Sequence, residues 1–312
     1  MIINFNFGLS KVEFIWQQNK NKYFAVNFLM EYSQTKNFEA IIDEVLSSND
    51  EILNILKKEK NYVIVPDEVI GFGSLQVPAS KRSGNKYFKI RFDLVYNKHN
   101  NLTYTNDLYS VENGISTYTF ACAKKHVFED IISAFGKFSV KIFGISYYSQ
   151  VLSNYVLKYR ADVSKHNFII MEKETNLKIY GVAKGKVIGY KTVNLDKNYE
   201  NYAKKYVKFT KNNLNGNGFS KIDVDKRIDR LKADASDLND IDKVQFAFLD
   251  FKNYFKTSSL KLGFQKIVLL NPSAEMDLDN SIINLDYDRV KILTCFKSSD
   301  IYTPKKRGIL WQ

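Results

Sequence analysis

One pattern occurs twice, and it constrains the fold more than any other feature of the chain. Residues 2–7 (IINFNF), 11–17 (KVEFIWQ) and 22–30 (KYFAVNFLM) are rich in β-branched and aromatic residues, and the turn sequences GLS and NKN part them. Runs of this kind, broken by Gly, Asn and Ser, read as a three-stranded antiparallel meander. About 165 residues further on the order returns as 167–172 (NFIIME), 177–183 (LKIYGVA) and 186–195 (KVIGYKTVNL), with turns at KETN and KGK. A meander repeated at long spacing is the trace of an internal duplication. The expected fold class is therefore α/β, with two lobes of mixed sheet.

The segments between the meanders supply the remaining elements. Residues 37–59 carry Phe38, Ile41, Ile42, Val45, Ile52, Leu53 and Leu56 at helical spacing, and YVIVP (62–66) follows as a strand. From 67 to 146 the chain reads as a small α+β insert. Residues 74–78 are extended, FKIRFDLVY (88–96), LTYTNDLYSV (102–111) and ISTYTFACA (115–123) are expected strands, 125–136 a helix and 140–146 a strand. Residues 147–160 are helical. Beyond the second meander, Tyr199, Tyr202, Tyr206 and Phe209 recur at helical steps, two more helical stripes run through 220–235 and 240–256, and strands return at 266–271 and 289–293. The expected domains are a first lobe of 1–66 and 147–165, an insert of 67–146, a second lobe of 166–195 and 261–312, and a helical subdomain of 196–260.

The 312-residue chain carries a net charge of +12, which raises the question of nucleic acid. Only seven of its 46 basic residues are Arg, the side chain suited to bidentate base and phosphate contacts, and the basic pairs are scattered. No nucleic-acid partner is expected. The two cysteines, Cys122 and Cys295, each sit in or after an apolar run and read as buried free thiols of a reducing compartment. The three histidines lack metal-ligand spacing, so no metal is expected. No run approaches 18 apolar residues and no leader precedes the first strand, so the expected location is the cytoplasm.

The order of elements resembles the bacterial actin-like ATPases (a duplicated, ribonuclease H-like fold), in the branch that holds the division protein FtsA and the pilus assembly protein PilM. That family implies three nucleotide loops, and all three depart from pattern here. The first, an Asp-x-Gly turn, reads Asn6-Phe7-Gly8-Leu9-Ser10: glycine and hydroxyl survive, but an amide replaces the carboxylate that a Mg²⁺ shell prefers. The second reads Met171-Glu172-Lys173-Glu174-Thr175-Asn176, where Glu172 is the one acidic candidate and no glycine lets backbone approach phosphate. The third, a strand followed by Gly-Gly around adenosine, reads IVLL and then Asn271-Pro272-Ser273-Ala274. Phosphoryl transfer depends on metal and positioned donors. The expectation is therefore a vestigial nucleotide cleft (Asn6, Gly8, Ser10, Glu172, Asn271, Ser273), no catalytic residue, and no required ATP or Mg²⁺.

Within that branch the resemblance implies protein partners. An FtsA-like adaptor would link an FtsZ-like polymer to the inner face of the membrane, and the ending Lys305-Lys306-Arg307-Gly308-Ile309-Leu310-Trp311-Gln312 faintly resembles the basic amphipathic tail of such proteins. This is the leading expectation, with Lys305, Lys306, Arg307 and Trp311 as candidate membrane or partner contacts. A PilM-like protein would instead hold a short cytoplasmic peptide of a membrane-anchored assembly partner in a groove on its first domain. The stretch 63–78 (VIVPDEVIGFGSLQVP), a strand ending in Pro and soon followed by an extended Leu-x-x-Pro, is similar to the PilM pattern. Actin-like relatives often self-associate, which the resemblance leaves open here, as it does a live ATPase of the same superfold.

Overall fold

The computed structural model describes residues 1–6, 11–19, 22–29, 38–78, 83–97, 101–159, 161–173, 176–194, 251–252, 254–255, 260, 262–270 and 290–293. The helical stripes expected between 196 and 250 lie outside them. The chain divides into two compact units, Met1–Asn167 with Tyr180–Tyr190 and Cys295–Gln312 in one, and Phe168–Ile179 with Lys191–Thr294 in the other.

The first unit is built on strands β1 (Ile2–Asn6), β2 (Lys11–Asn19), β3 (Lys22–Leu29), β4 (Asn61–Val65) and β8 (Ile142–Tyr147), in the order β3-β2-β1-β4-β8. The meander is antiparallel, with Ile3 opposite Phe14 and Phe5 opposite Val12, whereas β4 pairs parallel with both β1 and β8. Helices α1 (Phe38–Ser47) and α4 (Lys125–Lys137) pack on each other. Between them and the sheet lies a core of Phe5, Val12, Phe14, Ile41, Leu46 and Phe135, all buried. Phe5 and Phe38 meet edge to face at 5.2 Å. The helical stripe of 37–59 is broken into α1 and α2 (Asp50–Lys58). The cause is local: Ser48 Oγ and Asn49 Nδ2 donate to the carbonyls of Glu44 and Val45, satisfying the end of α1 and stopping it.

A second, three-stranded sheet runs β5 (Gly71–Pro78), β7 (Ile115–Lys124), β6 (Leu102–Glu112), antiparallel throughout. The β6–β7 hairpin turns at Asn113-Gly114, both at positive φ (49° and 76°), the conformation a two-residue loop needs to match strand twist. Residues 88–96 are not the expected strand. They form α3 (Gly84–Phe92) and a π-helical turn over Asp93–Asn97. Phe88, Ile90, Phe92, Leu94 and Tyr96 alternate as a strand would, yet steps of two also contain steps of four. On the helix Phe88 and Phe92 share one face and fill the core made by Leu75, Val77, Tyr118 and Phe120. After β7 the chain enters α4 and then β8, which lies beside β4 in the first sheet, followed by α5 (Tyr148–Tyr159).

The second meander forms β9 (Phe168–Lys173), β10 (Asn176–Ala183) and β11 (Lys186–Asn194), joined by β12 (Lys266–Leu270) and β13 (Val290–Leu293) in the order β11-β10-β9-β12-β13. Both β9 and β13 run parallel to β12. The two five-stranded sheets therefore share one order: third, second, first, fourth and fifth strand of each run. β9 is buried along Phe168, Ile169, Ile170 and Met171, as a strand covered on both faces must be.

Candidate functional site

The sequence pointed to nucleotide loops, and the two of their members that the structure describes belong to different units. Asn6 ends β1 in the first unit, and Glu172 lies near the end of β9 in the second. Glu172 stands opposite Leu270 of β12 and is only 6% exposed. Gly8, Ser10, Asn271, Ser273, Lys305, Lys306, Arg307 and Trp311 lie outside the described residues. Among the described residues no group of three or more His, Cys, Asp or Glu side chains is disposed to hold a metal. No chemical step is assigned to nucleotide.

A different constellation is well formed, and it starts at the carboxyl edge of the first sheet. The parallel strands β1, β4 and β8 end there at Asn6, Val65 and Tyr147, the edge at which open α/β sheets collect ligands. Pro66 takes the chain out of β4 into a 3-10 turn (Asp67–Val69). The Asp67 carboxylate, buried there, accepts from the backbone N–H of Ser149 at 3.1 Å and from its hydroxyl at 2.6 Å. Ser149 lies in the first turn of α5, where free N–H groups and the helix dipole favour an anion. The exit of β4 and the start of α5 are thus fixed to each other.

Gln150, the next residue, is the hub of a polar network. Its Oε1 accepts from the Tyr147 hydroxyl at 3.3 Å and the Val187 N–H at 3.4 Å, and its Nε2 donates to Asn154 Oδ1 at 3.1 Å and the Gly185 carbonyl at 3.3 Å. The segment Tyr180–Tyr190, which packs as part of the first unit, turns at Lys184-Gly185 with φ of 51° and 75°. Tyr190 donates to Glu68 at 3.1 Å, and Lys184 reaches the Tyr109 carbonyl and lies over the Tyr109 ring. Burial, with the negative charges of Asp67 and Asp107 behind it, pushes the Tyr147 hydroxyl well above the usual tyrosine range. Tyr147 is thus a neutral donor at physiological pH.

Between these parts lies a small cleft. Thr105, Asp107 and Thr119 of the β6–β7 hairpin form one wall, Tyr147 and Gln150 the floor, and Lys186 and Val187 the other wall. Lys186 Nζ and Asp107 Oδ2 face each other at 3.4 Å, both partly exposed. Hydroxyls, an amide and one ion pair are groups that bind. Thr105, Thr119, Tyr147, Gln150 and the Asp107–Lys186 pair are the polar groups of this cleft. Sequence reasoning missed it because its walls come from residues near 105, 119, 147 and 187. The one sequence signal was Pro66-Asp67 at the end of an apolar strand.

No protein-family model matches the sequence, and no curated protein does. Comparison of folds is informative. A chain of the PilM–PilN type IV pilus biogenesis complex superposes with a TM-score of 0.57, covering 96% of this chain and 92% of that one at 10% identity. The fold is actin-like. Two further comparisons stand lower. A Bacteroides thetaiotaomicron protein with an actin-like ATPase fold and unknown function has a TM-score of 0.45, 10% identity, and coverage of 94% and 89%. The cytoplasmic domain of EpsL, an inner-membrane component of the Vibrio cholerae type II secretion system, has a TM-score of 0.40, 8% identity, and coverage of 66% and 75%. At these identities the likeness speaks for the actin-like fold alone. No division protein stands among these structures, so the FtsA-like expectation gains no support from them.

Proposed function

We propose that this protein is a non-catalytic, PilM-like adaptor of a type IV pilus or secretion machine, acting in the cytoplasm. Its cleft beside Tyr147 and Gln150 would hold a short cytoplasmic segment of a membrane-anchored assembly partner. The observation that supports this reading is the likeness of fold to a chain of the PilM–PilN complex, which extends over 96% of this chain. The cleft gives it a site: hydroxyl, amide and ion-pair groups line it, the kinds of donor and acceptor that could meet the backbone of an extended peptide. Among the described residues no helix is long and apolar enough to cross a membrane.

The test is a fluorescence-polarisation screen of the full chain against synthetic peptides covering the cytoplasmic tails of single-span inner-membrane proteins of its host. A peptide bound with roughly micromolar affinity, weakened about tenfold or more by Asp107→Lys or Thr105→Lys, supports the adaptor. Peptide binding indifferent to both substitutions removes the cleft from the proposal. Metal-dependent ATP turnover by the purified chain would make it an enzyme and overturn the non-catalytic reading.

A further inference from the structure

The outer face of α3 and of the turn after it carries several exposed apolar side chains. Phe88 and Phe92 turn inward to the sheet β5-β7-β6, Phe88 lying 5.2 Å from the Tyr118 ring and Phe92 4.3 Å from that of Tyr104. Opposite them, Tyr87, Ile90, Leu94 and Val95 are 48%, 48%, 68% and 57% exposed. Tyr87, Ile90 and Leu94 follow steps of three and four, so they form one stripe along the helix. A single exposed apolar side chain needs no explanation, but four on one short element form a patch.

The charges around that patch say what covers it. Lys86, Lys89 and Arg91 are exposed beside the stripe, and Arg91 also donates to the Gln76 carbonyl at the rim. Among the described residues 83–97, three are basic (Lys86, Lys89, Arg91) and one, the half-buried Asp93, is acidic. The partner is therefore anionic. It also accepts a convex surface, because these side chains stand outward from a helix already packed on its sheet. A lipid headgroup layer moulds itself to an outward-facing apolar-basic helix. Tyr at the rim suits the headgroup level, and long Lys stems let the ammonium groups reach lipid phosphates while the aliphatic tips enter.

We infer that α3 and the turn after it form a peripheral membrane-contact surface for an anionic bilayer. Two signals act together there. The buried aliphatic area alone gives weak binding, and each Lys or Arg near an anionic surface strengthens it about fivefold, the equivalent of roughly 1 kcal/mol. Phe88 and Phe92 pre-form the helix, so little ordering is left for the membrane to impose. The surface is independent of the peptide cleft and stands whether or not that reading holds.

Vesicle flotation of the full chain tests it, with phosphatidylcholine vesicles against vesicles that also contain phosphatidylglycerol. The chain is expected to float with the anionic vesicles only, and less as salt is raised. The charge reversal K86E/K89E and the apolar substitution I90S/L94S are each expected to lower binding by about tenfold or more. All four side chains are exposed, and thermal melts confirm folding. Asp107→Lys, in the cleft, and deletion of residues 305–312 are expected to leave flotation within about twofold. Flotation that survives either α3 double substitution overturns the inference, as does no flotation, or flotation lost on deleting 305–312 alone. If the α3 variants instead abolish capture of an acidic peptide while vesicles are ignored, the face docks protein and the membrane reading is wrong.

Discussion

The Asp67 carboxylate and the Ser149 hydroxyl lie 2.6 Å apart across 82 positions of sequence, and the same carboxylate oxygen takes the Ser149 N–H. Both residues are buried, and together they join the end of β4 to the first turn of α5. This junction orients Tyr147 and Gln150, the floor of the cleft.

Removing the junction should cost stability. Asp67→Ala leaves a buried N–H and hydroxyl without this acceptor, at about 2–4 kcal/mol, because a charged acceptor is lost and two donors are stranded. Ser149→Ala keeps the backbone contact and should cost about 1–2 kcal/mol. Urea unfolding checks both, and equal losses would mean that the side-chain bond alone carries the junction.

Tyr147 makes a prediction about pH. Its hydroxyl titrates above the ordinary tyrosine value, first because it is buried and then because Asp67 and Asp107 are near. Folding therefore favours the protonated form, so this contribution is fully present below about pH 10 and lost as pH rises through the folded value. Stability measured from pH 8 upward should fall more steeply in the wild type than in Tyr147→Phe, which has no proton to lose. Parallel curves would place the alkaline titration elsewhere.

The legible part of this chain was its periodicity. The two meanders announced themselves, and their strands took the same order in both five-stranded sheets. The strand expected at 88–96 failed for a definite reason. Phe88, Phe92 and Tyr96 fall on one helical face and Ile90 and Leu94 on another, so the alternation is equally a helix apolar on two sides. Only the sheet beneath decides, because the rings of Tyr104, Tyr118 and Phe120 need a cover. The cleft was invisible for another reason: Asp67 to Ser149 and Gln150 to Val187 are contacts between distant parts of the sequence, and no local spacing encodes them.

Two glycines under the rings of β7 test that packing. A Cβ at Gly73 of β5 would lie 2.5 Å from Phe120 Cζ, and one at Gly84 of α3 would collide with the Tyr118 hydroxyl. Both rings are buried and have little room to move. Gly73→Ala should destabilise by about 1–3 kcal/mol, the usual cost of overpacking. Chemical denaturation of Gly73→Ala and Gly73→Val checks it, the larger side chain costing more.

Cys122 should be a silent thiol. It lies on β7 opposite Gly71, and burial raises its pKa although the Gly71 backbone offsets part of the effect. Thiolate is the reactive form, so a chain carrying Cys295→Ser should react with a disulfide reagent at pH 8 at least about tenfold more slowly when native than when unfolded in urea. Reaction at the unfolded rate would mean that β5 and β7 separate readily.

The nucleotide question has its own test in Asn6→Asp. This substitution returns a carboxylate to the first loop, the most economical repair of the family pattern. It should not restore tight Mg²⁺–ATP binding. The second turn still reads Glu172-Lys173-Glu174-Thr175, with no glycine to let backbone amides approach phosphate, and Glu172 is buried in β9. Calorimetric titration of the wild type and of Asn6→Asp with Mg²⁺–ATP should show affinities weaker than about 1 mM for both, a binding free energy of no more than about 4 kcal/mol. If Asn6→Asp alone gains a hundredfold, a single lost carboxylate was the whole defect, and the fold is one step from an ATPase.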